Sequence, residues 1–244
     1  MTNTTKVFGG FILTTAVLAA GLVWPLAAQQ APDRSKPPAA GTAPALKLPP
    51  TQKHALSNGL AVWIVEMPKV PVVQINLIVR AGAASDPVGK YGLSSFTAAM
   101  LDEGAGTRDA LELADAIEFL GINLSTGSAW DSATVGMFSP VSKLDDALPL
   151  MADVALHPTF LESEVERLRQ DRLTSLIQQR DNAGALASAG FSRLVYGPRH
   201  RYGGLAMGNS VSNGEMTAQE IRAFHATFYQ PQNSHLLVVG DVTP

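Results

Sequence analysis

Residues 92–101, Gly-Leu-Ser-Ser-Phe-Thr-Ala-Ala-Met-Leu, carry no charge and no polar side chain larger than threonine. The composition suits a helix, and a helix with no strongly polar face has no side to turn toward water. The segment is therefore expected deep in the core, which requires other elements to cover it on several sides. Gly104 and Gly106 are expected to end it, because glycine supplies the left-handed backbone found just past helix termini.

The covering elements can be read in order. His54-Ala55-Leu56 and residues 60–65 flank Ser57-Asn58-Gly59, an Asn-Gly hairpin signal. Residues 70–81 form a third strand with Val73, Ile75, Leu77 and Val79 on one face, and Asp86-Pro87 breaks it. Thr107 is expected to cap a helix over 108–120, with Leu111, Ala114, Ile117 and Leu120 on one side and Gly121 as the stop. Residues 122–128 and 133–139 read as two strands around Trp130-Asp131. Helices are predicted over 142–156, 162–179 and 183–195, followed by a loop over 196–203. A helix over 217–229 opens with a Thr217/Glu220 capping box, and 235–239 make a last buried strand. Strands, then helices, then a closing strand predict an α+β layered domain over 51–244. Asp241-Val242-Thr243-Pro244 has the chemistry of a helix start, so the chain reads as the front part of a longer protein.

Residues 1–28 are expected to stand outside the domain. Lys6 is the sole charge ahead of a largely apolar run over 7–26, and Ala27-Ala28 precede polar Gln29-Gln30. That order is a secretory signal; an uncleaved anchor is the competing reading, since the run approaches the roughly 20 residues that span a bilayer. Residues 29–50, with Pro32, Pro37, Pro38, Pro44, Pro49 and Pro50, read as a Pro/Ala-rich linker. The chain has no cysteine, which excludes disulfides and a lipid-modified N-terminal cysteine; export without disulfides suits a periplasm. A net charge of -3 with 16% charged residues offers no basic field for nucleic acid, and no phosphate-cradling glycine loop occurs.

Several short segments resemble, in order and at suitable spacing, those of the pitrilysin/insulinase (inverzincin) zinc peptidases. They are Leu56-Ser57-Asn58-Gly59-Leu60, Val79-Arg80-Ala81-Gly82, Tyr91-Gly92-Leu93, Phe228-Tyr229-Gln230-Pro231-Gln232-Asn233 and Val238-Val239-Gly240-Asp241-Val242. The resemblance implies the fold of that family's N-terminal half, a layered sandwich of a mostly antiparallel sheet with helices packed on one face. Active members carry H-x-x-E-H on the apolar helix. Two imidazoles one turn apart hold Zn²⁺, the Glu activates its water, and a Glu on a later helix is the third ligand. By resemblance the first His falls on Ser95, the Glu on Ala98, the second His on Ala99 and the third ligand on or near Ser175, with Phe96, Met100 and Thr107 holding the frame. Alanine has no lone pair to offer and a serine hydroxyl is a poor zinc ligand, so the resemblance implies a degenerate site with no metal and no cofactor. His54, His157, His200, His225 and His235 never pair at helical spacing, and neither H-x-x-E-H nor H-E-x-x-H occurs anywhere in the chain.

The resemblance thus implies a non-catalytic, zinc-less subunit. It would pair with a zinc-bearing homologous peptidase, bind a peptide or unfolded protein substrate in the cell envelope, and engage neither nucleic acid nor, once the signal is cleaved, the membrane. An active zinc metalloendopeptidase with a non-standard site and a non-proteolytic envelope scaffold are the alternatives. Other polar residues carry plainer readings. Asp102-Glu103 suit a solvated helix end, and Glu162, Glu164, Glu166, Arg167, Arg169, Asp171 and Arg172 a solvated, pair-laced helix face. His200 between Arg199 and Arg201 reads as an exposed loop rather than a carboxylate site, and Trp63 and Trp130 as core or rim packing. No G-x-S-x-G occurs, so no serine nucleophile is indicated.

Overall fold

Six strands share one sheet in the order β1-β2-β6-β3-β5-β4: β1 (Gln52–Ala55), β2 (Ala61–Glu66), β3 (Val72–Val79), β4 (Asn123–Ser128), β5 (Ala133–Pro140) and β6 (Ser234–Gly240). This computed structural model describes Gly41, Ala45 and residues 48–243; the expected signal segment and most of the linker lie outside the described residues. All neighbouring strands run antiparallel except β2 and β6, which are parallel. The last strand in sequence therefore sits in the middle of the sheet, between β2 and β3. Without β6 the sheet would fall into two ribbons, each with an open edge.

The Asn-Gly turn forms as its residues dictate: Gly59 takes φ 89° and the Leu60 amide donates to Asn58 Oδ1 at 3.1 Å. The alternation of β3 sets the buried face. Val73, Ile75 and Val79 are buried, and Ile75 pairs with Met137 on one side and Val238 on the other. Gln74 and Asn76 belong to the opposite face and hydrogen-bond to each other at 3.1 Å.

The helices are α1 (Leu93–Ala99), α2 (Ala110–Leu120), α3 (Leu144–Leu156), α4 (Glu162–Gln179), α5 (Ala183–Tyr196), α6 (Ser210–Gly214) and α7 (Ala218–Phe228). The apolar helix α1 lies in the core as its composition requires. Phe96, Ala98, Met100 and Leu101 are fully enclosed, and burying a phenylalanine is worth about 1.5–3 kcal/mol. It packs on β4, β5 and α7, giving the α+β sandwich with helices on one face of a mostly antiparallel sheet.

Several local expectations shift. Helix α1 ends at Ala99, with Met100 as its cap, and Gly104 and Gly106 (φ 111° and 62°) belong to the turn beyond. Asp109, not Thr107, caps α2: its carboxylate accepts from the Glu112 amide at 2.8 Å while Glu112 accepts from the Asp109 amide at 3.2 Å. The inward side of α2 is Leu113, Ala116, Ile117 and Leu120, whereas Leu111 is 70% exposed. Steps of three alone drift backward around a helix of 3.6 residues per turn, so a strict i+3 series leaves the buried face. A 3₁₀ turn over Val141–Lys143 precedes α3, and the short α6 was not expected. Among the described residues no helix is long and apolar enough to cross a membrane.

Candidate functional site

Asp86, from the turn after β3, holds the N-terminus of α1. Its carboxylate accepts from the Gly92 amide at 2.7 Å and the Ser94 amide at 2.8 Å, satisfying donors that a helix start leaves free. Burial pushes its pKa above the usual carboxylate range despite these bonds. Gly92 itself takes φ 92°, and a Cβ there would lie 2.1 Å from the Met207 carbonyl oxygen. Gly208 has the reciprocal constraint, since its Cβ would lie 1.9 Å from the Tyr91 oxygen. These two glycines let the 205–208 turn close against the start of α1.

Of the four positions singled out in the sequence, Ser95 and Ala99 sit one turn apart on α1 and are half-buried. Ala98 is fully enclosed. Ser175 lies on an exposed side of α4. The residue that α4 brings to α1 is instead Arg172, one turn earlier. It was expected on the solvated face and is 93% buried, with 7% of its surface exposed. Its Nη2 donates to Ser95 Oγ at 2.7 Å and to the Met207 carbonyl at 3.0 Å, and its Nε donates to Asn213 Oδ1 at 2.7 Å. The guanidinium also lies 4.9 Å from the Phe96 ring centroid. All these acceptors are neutral, and burial pulls the Arg172 pKa down to about 10.

Helix α6 explains how the acceptors are placed. Asn209 caps it, Ser212 Oγ donates to the Tyr91 carbonyl at 2.7 Å, and Asn213 Nδ2 donates to the Met207 and Asn209 carbonyls at 2.9 and 2.8 Å. Asn213 Oδ1 is thereby fixed toward Arg172. A signal for this existed in the sequence: Val165, Leu168, Arg172 and Leu176 fall on one helical stripe, so the arginine stands among inward positions.

A guanidinium is all donor, so it cannot ligate a metal, and its charge opposes one. Serine, two alanines and a buried cation make a donor set that does not fit Zn²⁺. Among the described residues no three His, Cys, Asp or Glu side chains gather as a metal site elsewhere. Asp102 and Glu103, expected as a solvated helix end, are engaged: Asp102 accepts from Thr126 Oγ1 at 3.2 Å, and Glu103 pairs with Arg167. Of the remaining α4 charge, Arg167 Nε pairs with Glu164 at 2.8 Å on the expected solvated face. Arg169, with Nε 2.8 Å from Glu166, is instead largely buried, and its Nη1 donates to the Asn213 and Gly214 carbonyls at 3.1 and 2.9 Å.

Comparison with known proteins agrees with this fold. The family profile described as Insulinase (Peptidase family M16) matches residues 61–192, and that described as Peptidase M16 inactive domain matches residues 215–244. An uncharacterized zinc protease of Rickettsia felis is 27% identical over 187 residues, 77% of this chain and 45% of the relative. The crystal structure of a peptidase M16 inactive domain from Pseudomonas fluorescens superposes with a TM-score of 0.76 at 30% identity, over 80% of this chain and 47% of that one. Pitrilysin superposes with a TM-score of 0.68 at 22% identity, over 80% of this chain and 21% of pitrilysin. The chain thus spans less than half the length of the relatives it matches. With its profile, sheet and motif order in agreement, the chain belongs to the insulinase family of peptidases, family M16.

Proposed function

We propose that this chain is the zinc-less member of a peptidase pair, which grips a peptide or unfolded protein segment while a zinc-bearing homologue supplies the metal and the catalytic carboxylate. The observation that carries the reading is the buried guanidinium of Arg172 on Ser95, the position aligned by resemblance with the first zinc ligand. Loss of ligands alone would leave the position empty; here a cation with four neutral acceptors stands beside Ser95. Ala98 and Ala99, aligned with the base and the second ligand, offer nothing to activate water. The apolar run over 7–26, read as a secretory signal, supports a cell-envelope setting for the pair.

Metal analysis and co-purification test this together. The full chain is expected to purify without stoichiometric zinc, to recover a homologue carrying H-x-x-E-H, and to change that homologue's peptide cleavage when added. Tightly held stoichiometric zinc sinks the proposal. So does cleavage by the homologue that is the same with and without this chain.

A further inference from the structure

Next to the Arg172 network, α5 and the 198–205 loop enclose a cavity of about 460 Å³. Arg193 enters its wall from α5, and Arg199, His200 and Arg201 enter from the loop. Among the described residues none of the three arginines lies within 4.0 Å of a carboxylate oxygen. The acid in the wall, Asp86, is occupied by the Gly92 and Ser94 amides. The nearby Asp131 accepts from the Tyr202 hydroxyl at 2.6 Å, and Asp86 acts on Arg201 through its charge without contacting it.

Arg201 is the most informative of these groups. Its guanidinium stacks on the Tyr91 ring at 4.6 Å, and its Nη1 is buried with no hydrogen-bond partner. Stacking fixes the plane of the fork, and a buried N–H without an acceptor is unfavourable until something accepts from it. The planar fork matches the two oxygens of a carboxylate. Leu186 and Ala189 of α5, with Trp130 opposite, make the rest of the wall largely apolar, so an anion attached to an apolar body fits better than a small hydrated ion.

We infer that this cavity takes a carboxylate of the bound peptide, held by Arg201 with Arg193 and Arg199 at the rim. The inference rests on the peptide-binding reading above and names the chemistry it selects. Two carboxylates could serve: the C-terminal carboxylate or an Asp/Glu side chain.

Fluorescence anisotropy on the full chain tests it with three labelled apolar hexapeptides. One ends in a free carboxylate, one is its C-terminal amide, and one is the amide with a glutamate replacing one residue. The free acid is expected to bind at least about tenfold more tightly than the plain amide. Arg199→Gln and Arg193→Gln, at exposed positions, are expected to reduce that preference, and Arg201→Gln to abolish it while the thermal transition is retained. If the glutamate peptide matches the acid, a side-chain carboxylate suffices; if it matches the plain amide, the pocket reads the C-terminus. Equal binding of all three overturns the inference and leaves the peptide-binding reading standing. Absence of binding by any of them overturns both.

Discussion

Arg172 Nη2 donates to Ser95 Oγ at 2.7 Å, tying α4 to α1 across 77 residues of sequence. By the family resemblance Ser95 aligns with the first zinc ligand of active members, so under the proposed reading this contact stands in the metal's place. The same guanidinium reaches Asn213 on α6, so three helices and the 205–208 turn meet on one buried cation. Its charge is offset by hydrogen bonds to neutral acceptors, by the Phe96 ring and by the nearby charge of Asp86, an arrangement that costs desolvation and gains fixed geometry.

Arg172→Met is expected to destabilise the domain by about 2–3 kcal/mol, because it strands Asn213 Oδ1 and loses charge-assisted bonds. Ser95→Ala should cost only about 1 kcal/mol, since Nη2 keeps the Met207 carbonyl. Urea unfolding of both single variants and the double variant reads the coupling. Additive effects would show that the Arg172–Ser95 contact contributes nothing of its own.

How far these features were legible depends on how local their causes are. Asn58-Gly59, the β3 alternation and the Thr217/Glu220 box are settled by residues within a turn or two, and the structure has them as the sequence implies. The cap at Asp109 was a near miss of the same kind, decided by Glu112 three residues on. Arg172 was misplaced because its partners lie 77 residues before and 41 after it. Helical spacing put it among the inward residues of α4, but charge type argued for solvent, and only the tertiary acceptors decide between them. The loop over 199–201 offered both a carboxylate site and a plain exposed loop, and the loop alone does not decide between them, since Tyr91 and α5 complete the cavity from outside it.

Gly92→Ala is expected to cost at least about 2 kcal/mol, combining the left-handed φ with the collision at the Met207 carbonyl. Gly121→Ala is the matched control. Gly121 is also left-handed, at φ 65°, but a Cβ there meets nothing within 4 Å, so it should cost only the backbone term of about 1–2 kcal/mol. Equal transition midpoints in urea for the two variants would contradict the close approach of the 205–208 turn to α1.

Stability should fall as pH drops below 6.5, through His225. Burial lowers its pKa from 6.5, and its Nε2 lies 2.9 Å from the Ala155 carbonyl, so the ring is neutral with Nε2–H as donor. In that window the unfolded chain binds the proton and the folded chain does not, so acidification favours unfolding by up to about 1.4 kcal/mol per pH unit. Between pH 7.5 and 5.5, urea unfolding of His225→Phe is expected to lose that slope. An unchanged slope would assign the pH dependence to other groups.

The strongest test of the metal-site alignment is to rebuild it. Ser95→His, Ala98→Glu, Ala99→His and Ser175→Glu together restore the family's donor set by resemblance, yet this quadruple variant is expected to bind zinc poorly. Arg172 would remain, with its guanidinium 2.7 Å from the old serine oxygen, in the space a new imidazole and its metal need. Cation–cation repulsion at about 4 Å is worth about 4 kcal/mol at an effective dielectric of 20, doubled for a divalent ion. Adding Arg172→Val should therefore raise zinc affinity by at least about a hundredfold, the scale on which neighbours of a metal site act. Calorimetric zinc titration of the quadruple and quintuple variants separates the cases. A quadruple variant that binds zinc as well as the quintuple would show that Arg172 does not stand in the metal's place. If neither binds while both stay folded, these four substitutions do not rebuild a zinc site in this scaffold, where Ser175 lies on an exposed side of α4.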